Sequence, residues 1–135
     1  VRQSVLNGTS PLSIYSPYMS YLHDKHVIGI NVAYMIGDWI DIVFFGDQGF
    51  FLQHKNGLAQ FKGIKISSHN CVEKFPWVKF LTRDTRHPEG IRSDSSKVSW
   101  NGNSGAAAHL HHNLLRGDEL DGALPCNGRE QPDLF

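Results

Sequence analysis

The chain has 135 residues, and its 13 lysine and arginine residues balance its 13 aspartate and glutamate residues, so the formal net charge is zero with histidine neutral. A chain of this length is long enough for one domain with its own hydrophobic core. The balanced charge argues against nucleic acid as a partner recognised by bulk charge and against an anionic membrane surface. Binding of a small molecule and a modest protein interface both remain open.

Cysteine content and hydropathy argue against a disulfide-rich, a zinc-binding and a membrane-spanning protein. Cys71 and Cys126 lie far apart and form neither a disulfide framework nor a zinc-binding pattern. No apolar run has the length of a membrane-spanning helix, and the amino-terminal segment lacks the apolar core of a signal peptide. We therefore expect reduced thiols, a cytoplasmic location and no membrane partner.

Apolar, β-branched segments alternate along the chain with helical or turn segments. The segments that predict strands are residues 4–6, 26–31, 39–45 and 64–68, the last of which has the pattern of an edge strand or a short central one. The segments that predict helices or helical turns are residues 16–22, 33–36, 50–61 and 104–115. Residues 82–97 are polar without periodicity, which predicts an exposed loop.

The near-continuous apolar character of these strands predicts an α/β fold with a mainly parallel, Rossmann-like sheet flanked by helices on both faces. No β-branched residue follows Val98, although buried parallel strands are rich in such residues. We therefore expect the sheet to be incomplete at its carboxy-terminal end, through truncation or a frameshifted reading. The predicted organisation is a partial nucleotide-binding-type domain over residues 1–116 and a polar, disordered tail over residues 117–135.

Small polar or glycine residues end or directly follow each predicted strand. They are Asn7 and Gly8, Asn31, Gly46 and Asp47, and Ser67 and Ser68. In open parallel sheets, ligands bind beyond the carboxyl ends of the strands. These side chains either converge on such a site or belong to ordinary loops at strand ends.

The stretch WNGNSGAAA, residues 100–108, places glycine, asparagine and serine directly before an alanine run. Alanine favours helices, and Ser, Asn and Gly favour the position just before them, so the stretch predicts a tight turn that opens a helix. Such a turn presents free backbone N–H groups to an anionic or polar ligand. The alternative is a turn that only caps the helix.

Three segments together resemble a known group of proteins: SVLNGTSPLSI (4–14), HVIGINVAYMIGDWIDIVFFGD (26–47) and SWNGNSGAAA (99–108). They resemble segments of phage-encoded Rossmann-like proteins of unassigned function. Those proteins are similar to archaeal hydroxymethylpterin pyrophosphokinases and to single-domain bacterial sialyltransferases. The resemblance implies a nucleotide or nucleotide-sugar donor as ligand, and transfer of a phosphate or glycosyl group as activity.

The resemblance also implies which residues contact the nucleotide. They are Asn7, Gly8, Thr9, Ser10, Asn31, Asp47, Asn103, Ser104 and Gly105. The first four form the phosphate-side loop, and the last three form a turn that contacts base or ribose. Asn31 bonds the base or sugar, and Asp47 occupies a polar strand-end position. The catalytic residues and the metal requirement stay open, and we predict no metal-ligating residues.

Two departures from the family pattern support an alternative function. The first loop reads Asn-Gly-Thr-Ser-Pro-Leu where the family has a Gly-Asn-Gly-Pro-Ser-Leu-like sequence, and the segment after the alanine run differs from the family's strand. These departures favour a non-catalytic phage accessory or interaction protein that keeps the fold. The converging polar strand ends favour the nucleotide-dependent transferase.

Histidines are candidates for a general base or a metal ligand. His109 and His112 are three residues apart on a predicted helix, so they either share a ligand face or line a solvated one, and no carboxylate has a matching spacing. His54, His69 and His87 are equally open as catalytic histidines, since a general base must be placed before it can be assigned.

Two further segments suggest partners. Residues 83–88 with Arg92 place three cations near His87, which either receive phosphate or belong to a merely soluble loop. The terminal Gln131–Phe135 resembles the short peptide by which bacterial proteins dock on the replication sliding clamp, with Leu134 and Phe135 as apolar anchors.

Overall fold

The computed structural model describes residues 19–86, 94, 96–99 and 102–115, together with the backbone of residues 3–7. Its elements, in chain order, are β1 (Gln3–Asn7), β2 (His26–Ile30), a 3₁₀ helix (Asn31–Ile36), β3 (Ile42–Phe45), α1 (Gln48–Gln60), β4 (Ile64–Ser67), a short 3₁₀ helix (Asn70–Val72), β5 (Lys79–Phe80), β6 (Thr82–Asp84), β7 (Lys97–Ser99) and α2 (Asn103–Leu115).

The first five strands form one parallel sheet in the order β1-β2-β3-β4-β5. Each strand pairs in parallel with the next along the chain, for example Ile42 of β3 with Ile28 of β2 and Ile64 of β4. Parallel neighbours place the carboxyl ends of all five strands along the same edge of the sheet. The predicted α/β class with a mainly parallel sheet is confirmed.

Two hydrophobic cores lie on opposite faces of this sheet because strand side chains alternate. Ile42 and Phe44 of β3 belong to the core that also contains Leu110 of α2. Val43 and Phe45 belong to the core that also contains residues of α1, among them Phe51 and Leu58. Helices therefore cover both faces, as the near-continuous apolar strands predicted.

Strand β3 is shorter than predicted, because its expected first residues form a turn instead. The Ile40 N–H donates to the Gly37 carbonyl, and the strand begins only at Ile42. Strand β4 is a short central strand rather than an edge strand, since it pairs with β3 on one side and β5 on the other. All four of its residues are buried, including Lys65.

Residues 82–84 correct the prediction of an exposed loop over residues 82–97. They form β6, which pairs in parallel with β7 in a separate two-stranded sheet. The Leu81 N–H donates to the Ser67 carbonyl, and the Thr82 N–H donates to the Ser96 carbonyl. The chain thus passes from β5, which pairs with β4, to β6, which pairs with β7. This long-range pairing gives the polar residues of β6 a strand conformation despite their weak local propensity for it.

Several predictions fall on residues outside the described ones. These are the tail over 117–135, the incomplete carboxy-terminal end of the sheet, Gly8, Thr9, Ser10, His87, Arg92 and the Gln131–Phe135 segment. Within the described residues, α1 and α2 have 13 residues each, and no helix has the length and apolarity needed to cross a membrane.

Candidate functional site

Asn31 ends β2 with a backbone conformation that turns the chain out of the sheet. Its φ is 54°, in the left-handed region that asparagine tolerates better than other residues with a β-carbon. The 3₁₀ helix Asn31–Ile36 starts at this point. The half-buried Asn31 side chain therefore lies at the carboxyl edge of the sheet.

Asn103, the first residue of α2, connects two of these strand ends. Its Nδ2 donates to Asp47 Oδ2 at 2.8 Å and lies 3.4 Å from Asn31 Oδ1, at the long limit of a hydrogen bond. Asp47 directly precedes α1, and Gly46 separates it from the last residue of β3. The amino terminus of α2 is thus fixed against the carboxyl ends of β2 and β3.

Arg83 of β6 completes this polar network from the other side. Its Nη2 donates to Asn103 Oδ1 at 2.7 Å, and its Nε donates to Ser68 Oγ at 2.6 Å. Gly46 leaves room for these contacts, because a β-carbon there would lie 1.9 Å from Arg83 Nη2 and 2.2 Å from Asn103 Oδ1. The two bonds hold the guanidinium across the end of β4.

We call Asn31, Asp47, Ser68, Arg83 and Asn103 the Asn103 cluster. The Asn103 amide joins a cation on one side to an exposed carboxylate on the other, donating through Nδ2 and accepting through Oδ1. Both acceptors of Arg83 are neutral, and no carboxylate in the described part of the chain forms an ion pair with it. The positive charge of Arg83 is therefore not neutralised by a described neighbour.

The start of α2 adds backbone N–H groups beside the Asn103 cluster. Gly102 has φ 98°, a conformation that favours glycine, and its carbonyl accepts the first helical bond from the Ala106 N–H at 2.9 Å. Ser104 is exposed and Gly105 half-buried in the first turn. The predicted helix after the glycine- and asparagine-rich stretch is confirmed and begins at Asn103. The free N–H groups of its first turn form the positive end of the helix dipole, which favours anions.

The structure brings together three of the residues that the sequence singled out, Asn31, Asp47 and Asn103. Ser104 and Gly105 follow Asn103 in the first turn of α2. Asn7 ends β1 opposite Ile30, and only its backbone is described. The nucleotide role of these residues stays a prediction.

Arg83 is the residue of this site that the sequence did not place. Its position depends on the pairing of β6 with β7, in which Arg83 lies opposite Val98. No local pattern around residue 83 indicates that pairing. The one sequence signal for a role in this site was the positive charge of Arg83, but the residue was predicted to lie in a loop.

The two histidines that were considered as metal ligands, His109 and His112, lie on α2. His109 is 2% exposed and its Nδ1 accepts the Ser99 N–H at 2.8 Å, so the solvated face is wrong for this residue. Burial, together with the neighbouring His112, lowers the pKa of His111. Among described residues, no group of three or more His, Cys, Asp or Glu side chains is arranged to hold a metal ion.

The two described histidines that were considered as a general base, His54 and His69, differ in position. His54 lies on α1 with its Nδ1 2.9 Å from the Tyr34 hydroxyl, and burial raises the pKa of Tyr34. His69 follows Ser68 at the carboxyl edge of the sheet, and its Nδ1 accepts the Cys71 N–H at 3.1 Å. Of the two, His69 is the one that adjoins a member of the Asn103 cluster, Ser68, in the sequence.

Comparison of the chain with protein-family models, with curated proteins and with solved structures finds no match. The chemistry of the Asn103 cluster therefore carries the functional argument.

Proposed function

We propose that the Asn103 cluster binds a nucleotide or nucleotide-sugar donor. The observation that carries this proposal is the hydrogen-bonded series Ser68–Arg83–Asn103–Asp47 at the carboxyl edge of a parallel sheet. This edge is where open α/β sheets bind their ligands. The series offers a cation, an amide and a carboxylate within one connected network.

The cationic end suits a phosphate group. A guanidinium binds phosphate through paired N–H donors. Toward the described residues, Arg83 uses two of its five donors, in the bonds to Ser68 and Asn103. The first turn of α2 supplies further N–H groups to an anion. Because both described acceptors of Arg83 are neutral, a phosphate that binds here pairs with the guanidinium without displacing a carboxylate of the described residues.

The anionic end suits sugar hydroxyls. Asp47 is exposed, and its carboxylate accepts hydrogen bonds only, so it selects donors such as the hydroxyls of ribose or another sugar. Asn31 adds an amide with both donor and acceptor groups at the end of β2. A ligand with phosphate at one end and hydroxyls at the other matches this separation of charge.

The activity that we propose is transfer of a phosphate or glycosyl group from such a donor, mainly through positioning of the reactants. The proposal includes membership of the phage-encoded Rossmann-like proteins that the three sequence segments resemble, and with it a cytoplasmic location in a bacterial host. Fold alone does not decide it, since one fold hosts many functions.

A second candidate function is that of an accessory protein that binds another macromolecule. The observation that favours it is the 3₁₀ helix after β2, which exposes three apolar side chains, Val32, Met35 and Ile36, with Met35 66% exposed. In that case the Asn103 cluster only anchors α2 to the sheet. The two functions differ in whether free nucleotides stabilise the protein.

Thermal denaturation with and without ligands tests the proposal. A bound ligand at 100 times its Kd raises the free energy of unfolding by about 2.7 kcal/mol. We expect cytidine or uridine nucleotides, or their sugar derivatives, to raise the Tm of the wild type. Arg83→Gln loses this shift, whereas Lys62→Gln, which changes an exposed cation two residues before β4, keeps it. An unchanged Tm with every nucleotide at millimolar concentration contradicts the proposal.

A further inference from the structure

We propose that the acceptor of the transferred group is a neutral amphipathic small molecule, with its hydroxyl end at Asn31 and its apolar tail along Val32 and Met35. This inference rests on the proposed function and specifies the second substrate of that activity. The surface that binds the tail is the outer face of the 3₁₀ helix Asn31–Ile36, whose first residue belongs to the Asn103 cluster.

Two exposed apolar side chains lie one turn apart on this helix. Side chains three residues apart eclipse each other in a 3₁₀ helix, so Val32 and Met35 share a face. They are 39% and 66% exposed. At about 2 Å of rise per residue, this apolar stripe begins beside Asn31 and extends to about 8 Å from it. A polar amide therefore lies at one end of a short apolar surface.

The opposite face of the 3₁₀ helix holds it against α1. Tyr34 is 7% exposed, and its hydroxyl lies 2.9 Å from His54 Nδ1. The Tyr34 ring also packs edge-on against Phe61, with the two ring centroids 5.6 Å apart. Because Tyr34 anchors the helix, Val32 and Met35 are presented on a backbone that is already ordered, which lowers the entropic cost of binding a ligand there.

The size and charge of the stripe favour a small neutral molecule over a macromolecule. A stable protein interface buries about 800 Å² on each partner, and the partly exposed side chains of Val32, Met35 and Ile36 supply only a fraction of that area. Residues 31–36 contain no charged side chain, so the stripe does not attract an ionic ligand. The flexible thioether of Met35 adapts to apolar groups of different shapes, such as an alkyl chain.

The order of polar groups along the carboxyl edge of the sheet fits a glycosyl transfer to such an acceptor. Arg83 lies across the end of β4, Asp47 follows β3 and Asn31 ends β2, so the sugar at Asp47 lies between the donor phosphate and the acceptor. The acceptor hydroxyl oxygen forms a bond to the anomeric carbon of that sugar. The bond from this carbon to the phosphate oxygen breaks, the phosphate keeps the electron pair, and the hydroxyl proton passes to the exposed carboxylate of Asp47.

Methyl NMR of the full chain tests this inference, because Met19 and Met35 are its two methionines. Octyl glucoside below its micelle-forming concentration should shift the methyl resonance of Met35, whereas methyl glucoside, which lacks the tail, should not. In calorimetric titration, Met35→Gln should weaken octyl glucoside about tenfold, the effect of losing burial of part of one apolar side chain. Leu52→Gln changes an α1 side chain that is also 66% exposed, and this matched control should bind octyl glucoside as the wild type does.

Asn31→Gly tests the polar end of the surface. Glycine accepts the left-handed backbone conformation at this position and removes only the amide. We expect the variant to bind octyl glucoside severalfold more weakly, the effect of losing one hydrogen bond. An affinity equal to that of the wild type would overturn the placement of the hydroxyl end.

The outcomes separate this inference from the proposed function. Equal affinity of wild type and Met35→Gln for octyl glucoside overturns the inference, and so does an equal loss in Leu52→Gln, which would show adsorption to any exposed apolar side chain. A Met35 resonance that octyl glucoside does not shift also overturns it and leaves the stripe to a macromolecular partner. Uridine diphosphate titrated alone into the wild type decides separately whether the proposed nucleotide site stands.

Discussion

Arg83 Nη2 donates to Asn103 Oδ1 at 2.7 Å, although the two residues lie 20 positions apart in the sequence. This charge-assisted bond joins β6 to the first residue of α2. It also determines the orientation of the Asn103 amide, because an oxygen must face the guanidinium and the Nδ2 must then face Asp47. The contact between strand and helix thus orders the polar groups of the candidate site.

The Gly46→Ala variant tests whether ligand binding depends on this contact. The new β-carbon would lie 1.9 Å from Arg83 Nη2, so the guanidinium must move away from Asn103. We expect nucleotide affinity to fall at least about tenfold, the effect of losing one hydrogen bond to a charged group. The free energy of unfolding changes by only about 1 kcal/mol, because both clashing groups are side-chain ends. Calorimetric titration and urea denaturation measure the two quantities.

Gly49→Ala is the matched control, since a β-carbon at this position meets no atom within 4 Å. It leaves nucleotide affinity unchanged. Nucleotide affinity in Gly46→Ala equal to that of the wild type would show that the contact between Arg83 and Asn103 does not organise a binding site.

Much of the fold was predictable because its strands bury both faces. Continuous apolar, β-branched segments such as β2 and β3 are typical of a parallel sheet, and the alanine run after Gly102 is typical of a helix start. These are local patterns, and the structure bears them out. The two-stranded sheet was not predictable in this way, because β6 contains the polar residues Thr82, Arg83 and Asp84 and depends on a distant partner.

The residues of the candidate site likewise fall into two groups: those that local sequence predicts and those that depend on tertiary contacts. Asn31 and Asp47 were predictable because polar residues directly after buried parallel strands share an edge of the sheet. Asn103 followed from the turn that opens α2. Arg83 could not be placed, since its contribution comes from tertiary pairing with β7, and Ser68 gained its role only through the contact with Arg83.

Replacing Gly57 of α1 with alanine should destabilise the protein, although this replacement within a helix usually stabilises it. Replacing a helical glycine with alanine ordinarily adds about 0.5–1 kcal/mol to the free energy of unfolding. At Gly57 the new β-carbon would lie 2.5 Å from the hydroxyl of the buried Tyr34. We therefore expect Gly57→Ala to lower the free energy of unfolding by about 1–3 kcal/mol, measured by urea denaturation.

The Tyr34→Phe background tests the cause of this loss. Without the hydroxyl, the nearest ring atom is 3.5 Å from the new β-carbon, an ordinary van der Waals distance. Gly57→Ala in that background should then be neutral or stabilising, and Gly49→Ala should be stabilising in both backgrounds. A loss at Gly57 that is the same with and without the hydroxyl would rule out the clash as its cause.

Lys65 makes a pH-dependent contribution to stability. Burial lowers the pKa of its ammonium group below the ordinary 10.5, and its Nζ lies 5.9 Å from the centre of the Phe61 ring. Between the folded and unfolded pKa values the unfolded chain binds more protons, so this group makes the free energy of unfolding rise with pH. The penalty of the buried charge is complete below the folded pKa and disappears as pH rises to about 10.5.

The variant Lys65→Met removes this charge while keeping an unbranched side chain. We expect it to be more stable than the wild type at about pH 7, and the difference to shrink as pH rises towards 10.5. Tyr34 and Cys71, whose pKa values burial raises, titrate in both proteins and cancel in the comparison. A stability difference that is constant with pH would refute the assignment to Lys65.

Asn113 of α2 is fully buried, and neither its Oδ1 nor its Nδ2 has a hydrogen-bond partner in the part of the chain that the structure describes. A buried amide without a partner costs about 1–3 kcal/mol, and an apolar side chain of similar shape avoids that cost. Asn113→Leu should therefore raise the free energy of unfolding by that amount in urea denaturation. Asn113→Asp should lower it, since it buries a charge among the same neighbours. Destabilisation by leucine together with tolerance of aspartate would instead show that a polar group at this position is satisfied, and the helix would then have a polar contact on its buried face.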